Sequence, residues 1–134
     1  MFSLRLFAPA PSKSEEDVVS LDIEIFSECG VALVRCDGRI LAGKEARLLW
    51  ERLNPVFSDF SACILNLAKV VQIDAQGLGT VMDCYRKAHQ SDCALILAQV
   101  PPRVQRLLDV TKLSAVLEIF PSEEAAIEAC CEVA

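Results

Sequence analysis

The chain has 134 residues, of which 53% are hydrophobic, and a formal net charge of −6. That length fits about one domain with a substantial core, and the apolar content argues against a disordered chain. The acidic balance argues against nonspecific nucleic-acid binding, which needs a basic face for phosphate, and no apolar run approaches the roughly 20 residues of a membrane span.

Met1 to Ala8 is apolar but short, and Arg5 interrupts it, so it reads as an N-terminal tail or an extra strand rather than a signal peptide. Ala8 to Ser20 gathers prolines and serines and then Glu15-Glu16-Asp17, the composition of a solvated linker. Residues 1–20 are therefore expected to stand apart from one domain over residues 21–134. Leu21-Asp22-Ile23-Glu24-Ile25 alternates apolar and polar residues, as a half-buried strand does. Cys29-Gly30 predicts a turn, and Val31 to Cys36 a second strand paired with the first as a hairpin that ends at Asp37-Gly38.

A helix is expected next, with Ala42, Ala46, Leu49 and Leu53 inward, Lys44, Glu45, Arg47 and Arg52 mostly outward, and Asn54-Pro55 as its stop. Cys63 to Leu67 predicts a central strand buried on both faces. The spacing of Leu78, Val81, Met82, Tyr85 and Ala88 predicts a helix from about Gly77 to His89. Cys93 to Ala98 is another buried strand. Pro101-Pro102 starts a third helix with Val104, Leu107, Leu108 and Thr111 as its inner stripe. Val116 to Phe120 is a last strand, and Ser122-Glu123-Glu124-Ala125 opens a last helix with an N-cap serine and early acids. Alternation after the hairpin implies a mixed α/β sheet with right-handed crossovers.

Seven cysteines, an odd number set in apolar runs, point to reduced thiols used as small core residues in a cytoplasmic protein. In the vicinal pair Cys130-Cys131, one thiol is expected in the core and one outside. There is no Cys-x-x-Cys pair, and His89 is the one histidine. Neither a metal site nor a cofactor is expected, and no thiol is visibly paired with His89 for catalysis.

Ile73-Asp74-Ala75-Gln76-Gly77-Leu78-Gly79 stands where a strand hands over to a helix, a corner that can turn backbone N–H groups and a helix dipole toward a partner. Asp74 suits an N-cap or a direct contact. Gly77 and Gly79 suit either plain turn geometry or close approach of a partner backbone.

This stretch resembles the signature of the STAS family, the anti-sigma-factor antagonists and the cytosolic tails of sulfate transporters. Gly38-Arg39-Ile40 with Gly43 resembles the family's step into its first helix. Pro102-Arg103-Val104 through Leu107-Leu108 to Thr111-Lys112-Leu113 resembles its second signature, and Val116 to Phe120 with Ser122 to Ala126 its terminal strand and helix. The resemblance runs from about Leu21 to the end. It implies a STAS-like mixed β-sheet with helices packed chiefly on one side.

The resemblance also implies a non-catalytic module that binds an anti-sigma factor, in the family often a histidine-kinase-like Ser/Thr kinase, and so regulates sigma-dependent transcription. The implied partner surface is Asp74, Ala75, Gln76, Gly77, Leu78 and Gly79 with Met82, beside Asp37, Gly38, Arg39, Ile40 and Leu41. Antagonists usually carry Asp-Ser-Ser/Thr-Gly-Leu-Gly here, and the first Ser is the phosphorylation switch. Ala75 fills that slot without a hydroxyl, Gln76 replaces a Ser or Thr, and Leu41 stands where many antagonists carry an Asp. Thr80, the nearest downstream hydroxyl, reads as structural. The alternative reading is a ligand-sensing or transporter-associated STAS domain that binds a nucleotide or lipid. Direct membrane insertion is not expected in either case.

Overall fold

A computed structural model of the protein describes residues 19–133, with side chains described as far as residue 130. The expected tail or extra strand over residues 1–20 lies almost wholly outside the described residues. The hairpin strands are β1 (Leu21–Glu28) and β2 (Val31–Ile40), antiparallel and joined at Cys29-Gly30. Both turn residues have positive φ, 57° and 74°, as a two-residue type I′ turn requires. Cys29 is accordingly exposed in the turn rather than set in an apolar run.

Strand β2 does not end at Asp37-Gly38 but continues to Ile40. Gly38 keeps the strand going at φ 125°, and a Cβ there would overlap the Ser20 carbonyl oxygen. That oxygen instead accepts the Arg39 amide at 2.7 Å. The glycine that reads as a terminator is the residue that lets the preceding chain lie against the strand.

Helix α1 (Lys44–Asp59) also outruns its expected stop, with Pro55 inside it. An interior proline costs about 3 kcal/mol, but burying Val56 and Phe57 returns about 1.5–3 kcal/mol each, so the helix continues. Asn54 turns its amide back onto the Trp50 carbonyl at 3.0 Å. Two residues differ from the expected faces. Ala42 precedes the helix and is exposed, and Glu45 is buried because its carboxylate accepts the Ser20 amide at 2.8 Å.

The remaining elements are β3 (Ala62–Ile73), α2 (Ala75–Gln90), β4 (Ala94–Ala98), α3 (Pro102–Val110), a 3-10 turn (Leu113–Ala115), β5 (Glu118–Phe120) and α4 (Glu123–Val133). The strand order is β1-β2-β3-β4-β5, antiparallel at the first pair and parallel thereafter. Strand β3 runs six residues beyond Leu67 because the extended end of β2 goes on pairing with it, through two register shifts, to Ile40↔Ile73. Thr111 is not part of the α3 stripe: it is exposed at the helix end, where its hydroxyl donates to the Leu107 carbonyl at 2.8 Å. Strand β5 is shorter than expected, because the amides of Val116 and Leu117 both donate to the Leu113 carbonyl in the preceding 3-10 turn, each at 3.0 Å. Ser122 opens α4 as expected, its hydroxyl accepting the Ala125 amide at 3.0 Å.

The sheet is covered chiefly on one side. Alternate residues of the strands, among them Val34, Cys36, Leu65, Leu67, Leu95 and Leu97, pack against α1, α2 and α3 in the larger apolar cluster. The intervening Val31, Leu33, Ile64 and Ile96 pack under α4 with Ala126. Ile64, Leu65, Leu67, Leu95, Ile96 and Leu97 are all buried, as continuous apolar runs in parallel strands predict.

Candidate functional site

The corner is built around one carboxylate. Asp74 leaves β3 in extended conformation, and its amide donates to the Ile40 carbonyl at 3.4 Å. Its Oδ1 accepts the Gly77 amide at 2.7 Å as the N-cap of α2, and its Oδ2 accepts the Ala42 amide at 2.9 Å. One side chain thus caps a helix and ties down the loop between β2 and α1. The N–H groups of Ala42 and then Gly77 hold its carboxyl below the usual carboxylate range, because both bond to the ionised form.

Gly77 explains how α2 comes so close to β2. A Cβ at this position would overlap the Ile40 carbonyl oxygen, so only glycine fits. Gly79 is different: it is exposed, helical, and has open space where a Cβ would go. Gly43, at φ 93°, begins α1 with no side-chain cap.

The structure sorts the expected surface by exposure. Arg39, Ala75, Gln76 and Gly79 are exposed, and Gly38, Leu41, Asp74 and Met82 are half-buried. Ile40, Gly77 and Leu78 are buried, so they hold the corner in shape. Asp37 is exposed but lines a separate hollow with Asp22, Asn66 and Lys69. Thr80 donates its hydroxyl to the Gln76 carbonyl at 3.0 Å, the local bond of a helical threonine. The residues that the sequence did not single out are Ala42 and Glu45. Ala42 acts through its backbone, which carries no side-chain signal, and Glu45 has the ordinary look of an early helical acid.

A second polar arrangement lies at the start of α4. Arg35 grips Glu123 with two bonds, 2.9 and 3.0 Å, and Glu123 also accepts from Asn66. Asn66 donates to Gln99 at 3.2 Å and accepts the Ala68 amide at 2.8 Å. The Arg35 guanidinium holds the Glu123 carboxyl below its usual range. These residues border the open hollow of about 610 Å³.

Asp74 is spent on backbone bonds, and His89 is exposed in the last turn of α2. Cys36, Cys63, Cys84 and Cys93 are buried free thiols. Burial pushes Cys36 and Cys84 up to about 12 and Cys93 up to about 11, so they remain protonated and unreactive at neutral pH. Among the described residues no three His, Cys, Asp or Glu side chains are grouped to hold a metal, and no helix is long and apolar enough to cross a membrane.

The family model of the STAS domain matches residues 21–126. An anti-sigma F factor antagonist of Paenibacillus polymyxa is 25% identical over 111 residues, covering 81% of this chain and 94% of that one. Among solved structures, an anti-sigma factor antagonist from Mycobacterium paratuberculosis superposes with a TM-score of 0.72 at 21% identity, over 82% of this chain and 93% of that one. A sulfate transporter family protein from Wolinella succinogenes superposes with a TM-score of 0.65 at 19% identity, over 93% of this chain and 97% of that one. With its sheet order, its corner motif and this match over most of its length, the chain belongs to the STAS domain family.

Proposed function

We propose that the protein is a non-catalytic binding module of the anti-sigma-factor-antagonist type. It docks through the α2 corner on an anti-sigma factor and so regulates sigma-dependent transcription. It does this without a phosphorylation switch at position 75. The observation that carries the reading is an intact, exposed corner whose switch slot holds a methyl group. Ala75 and Gln76 are exposed in the first turn of α2, and the Asp74 bonds to Ala42 and Gly77 hold the loop beside them. The relative from Paenibacillus polymyxa, named an anti-sigma F factor antagonist, supports the choice of partner class.

The physical reason for a switch at this slot is charge. A phosphate adds about −1.5 to −2 at a surface that must shed water to dock. Ala75 has no oxygen to receive it. Thr80 is a poor substitute, since its hydroxyl is already bonded within the helix. The docked state is therefore insensitive to ATP, including where the partner is a kinase. The test is to identify the protein recovered with the chain and incubate the two with labelled ATP. An anti-sigma factor that stays bound and leaves the chain unlabelled is expected. Stoichiometric label on the wild-type chain, followed by release, contradicts the reading.

A further inference from the structure

The chain carries a net charge of −6, yet the end of β3 that leads into the corner is flanked by cations. Strand β4 pairs with β3 only as far as Asn66. Among the described residues, the last residues of β3 therefore have β2 on one side and no strand on the other. Val71 is 56% exposed there, three residues before Asp74. Arg39, exposed on β2, lies directly across from Gln72 and next to Ile40, whose carbonyl accepts the Asp74 amide. From the other side Arg103 of α3, also exposed, donates to the Val71 carbonyl at 3.5 Å. A large apolar side chain thus stands exposed between two arginines, at the entrance to the corner.

Local stability does not account for these cations. Arg103 stands in the first turn of α3, where a cation opposes the helix dipole. Arg106, exposed one turn further on, repeats the charge on the same side of the helix, and like charges so placed repel. Among the described residues neither Arg39 nor Arg103 is in an ion pair. The carboxylates of the corner are engaged elsewhere, Asp74 with the amides of Ala42 and Gly77 and Glu45 with that of Ser20. We infer that Val71, Arg39 and Arg103 extend the docking corner toward an acidic partner. The anti-sigma surface seated there sets an apolar side chain on Val71, between carboxylates that meet Arg39 and Arg103. The inference rests on the α2 corner being the docking site. An apolar centre with a polar, charged rim is the anatomy of a protein interface. Opposite charges across such a rim speed the encounter and reject wrong partners.

The test has two arms, both on the full chain. In the first, hexaglutamate is titrated into labelled protein at low salt and read by NMR at the amides of Val71, Gln72, Ala75 and Gln76. Wild type should show saturable shifts, and Arg39→Glu/Arg103→Glu should lose them. In the second, binding kinetics are measured with the purified anti-sigma factor recovered with wild type, between about 50 and about 300 mM salt. Arg39→Glu and Arg103→Glu should each bind at least about fivefold more weakly, chiefly through slower association, with a shallower salt dependence. Val71→Ser should weaken binding at every salt concentration alike. Arg52→Glu, the same change of charge at an exposed site further along α1, should bind as wild type does. Thermal melts check that each variant folds, and Arg39→Gln or Arg103→Gln replaces one that does not, with a smaller loss expected. Wild-type amides that hexaglutamate leaves unmoved overturn the inference, as does an equal loss in Arg52→Glu. So does a wild-type dimer that the same reversals dissolve, which would seat the β1 carboxylates of a second copy on this surface. Arginine variants that bind as wild type while Ala75→Asp binds weakly overturn this inference alone. If Ala75→Asp also binds as wild type, the docking corner falls with it.

Discussion

Asp74 accepts the backbone amide of Ala42 at 2.9 Å across 32 positions of sequence, while its other oxygen caps Gly77. The entry to α2 and the loop leading into α1 are therefore held by the same carboxylate. Replacing Asp74 by Ala should cost about 1–2 kcal/mol, the size of a lost N-cap with a second amide left without its acceptor. Denaturant unfolding would register the loss. The same variant should loosen residues 41–43, seen as faster exchange at the Ala42 amide.

The pH dependence of that bond has a defined sign. Hydrogen bonds from Ala42 and Gly77 lower the folded-state pKa of Asp74, and Arg35 lowers that of Glu123. Groups shifted in this direction contribute fully above their unfolded values, near 4, and lose the contribution as pH falls through the lowered folded values. Stability should therefore be flat from these two groups at neutral pH and fall in acid. Asp74→Asn and Glu123→Gln should each flatten part of the acid limb in unfolding curves taken between neutral pH and pH 2. An acid limb unchanged in both variants would assign it to other carboxylates.

The two glycines of α2 should respond oppositely to the same substitution. Gly77→Ala drives a Cβ into the Ile40 carbonyl, and overpacking of this kind costs about 1–3 kcal/mol or more. Gly79→Ala meets open space in a helix and should stabilise by about 0.5–1 kcal/mol. Thermal unfolding of the pair separates a packing glycine from a surface glycine. If both variants destabilise, Gly79 has a structural role that its open surroundings do not explain.

Much of the fold could be read from hydrophobic period, because each strand and helix has one strong apolar face. The misreadings occurred where two local signals competed. Asn54-Pro55 is a sound stop by local chemistry, but Val56 and Phe57 gain more from burial than the proline loses. Asp37-Gly38 looks like a turn, yet Gly38 serves a close approach of Ser20 from 18 residues earlier, which no local pattern encodes. At the corner, the motif pointed to Asp74 as an N-cap, which its bond to the Gly77 amide makes it. The partner of Asp74 was hidden because Ala42 contributes only its amide. Asp37 sits near the corner in sequence, but the structure sets it in the hollow with Asp22 and Lys69.

The thiols offer a check on the core. Cys29 is exposed in the hairpin turn, whereas Cys36, Cys63, Cys84 and Cys93 are buried and held protonated. Alkylation of native protein at pH 8, followed by mass mapping, should modify Cys29 first. The four buried residues should react only at the rate of unfolding. Rapid modification of Cys63 or Cys84 in the native state would mean that the sheet and α2 are not packed as described.

The most direct test of the docking corner is the binding of Ala75→Asp to the partner recovered with wild type, with stability measured on the same samples. Ala75 is exposed in the first turn of α2, where a carboxylate complements the helix dipole. The substitution should therefore leave the Tm unchanged or slightly raised while weakening binding at least about tenfold, the effect of charge forced into a desolvated contact. A variant that is as stable as wild type and binds the partner as tightly would contradict the assignment of this corner as the interface.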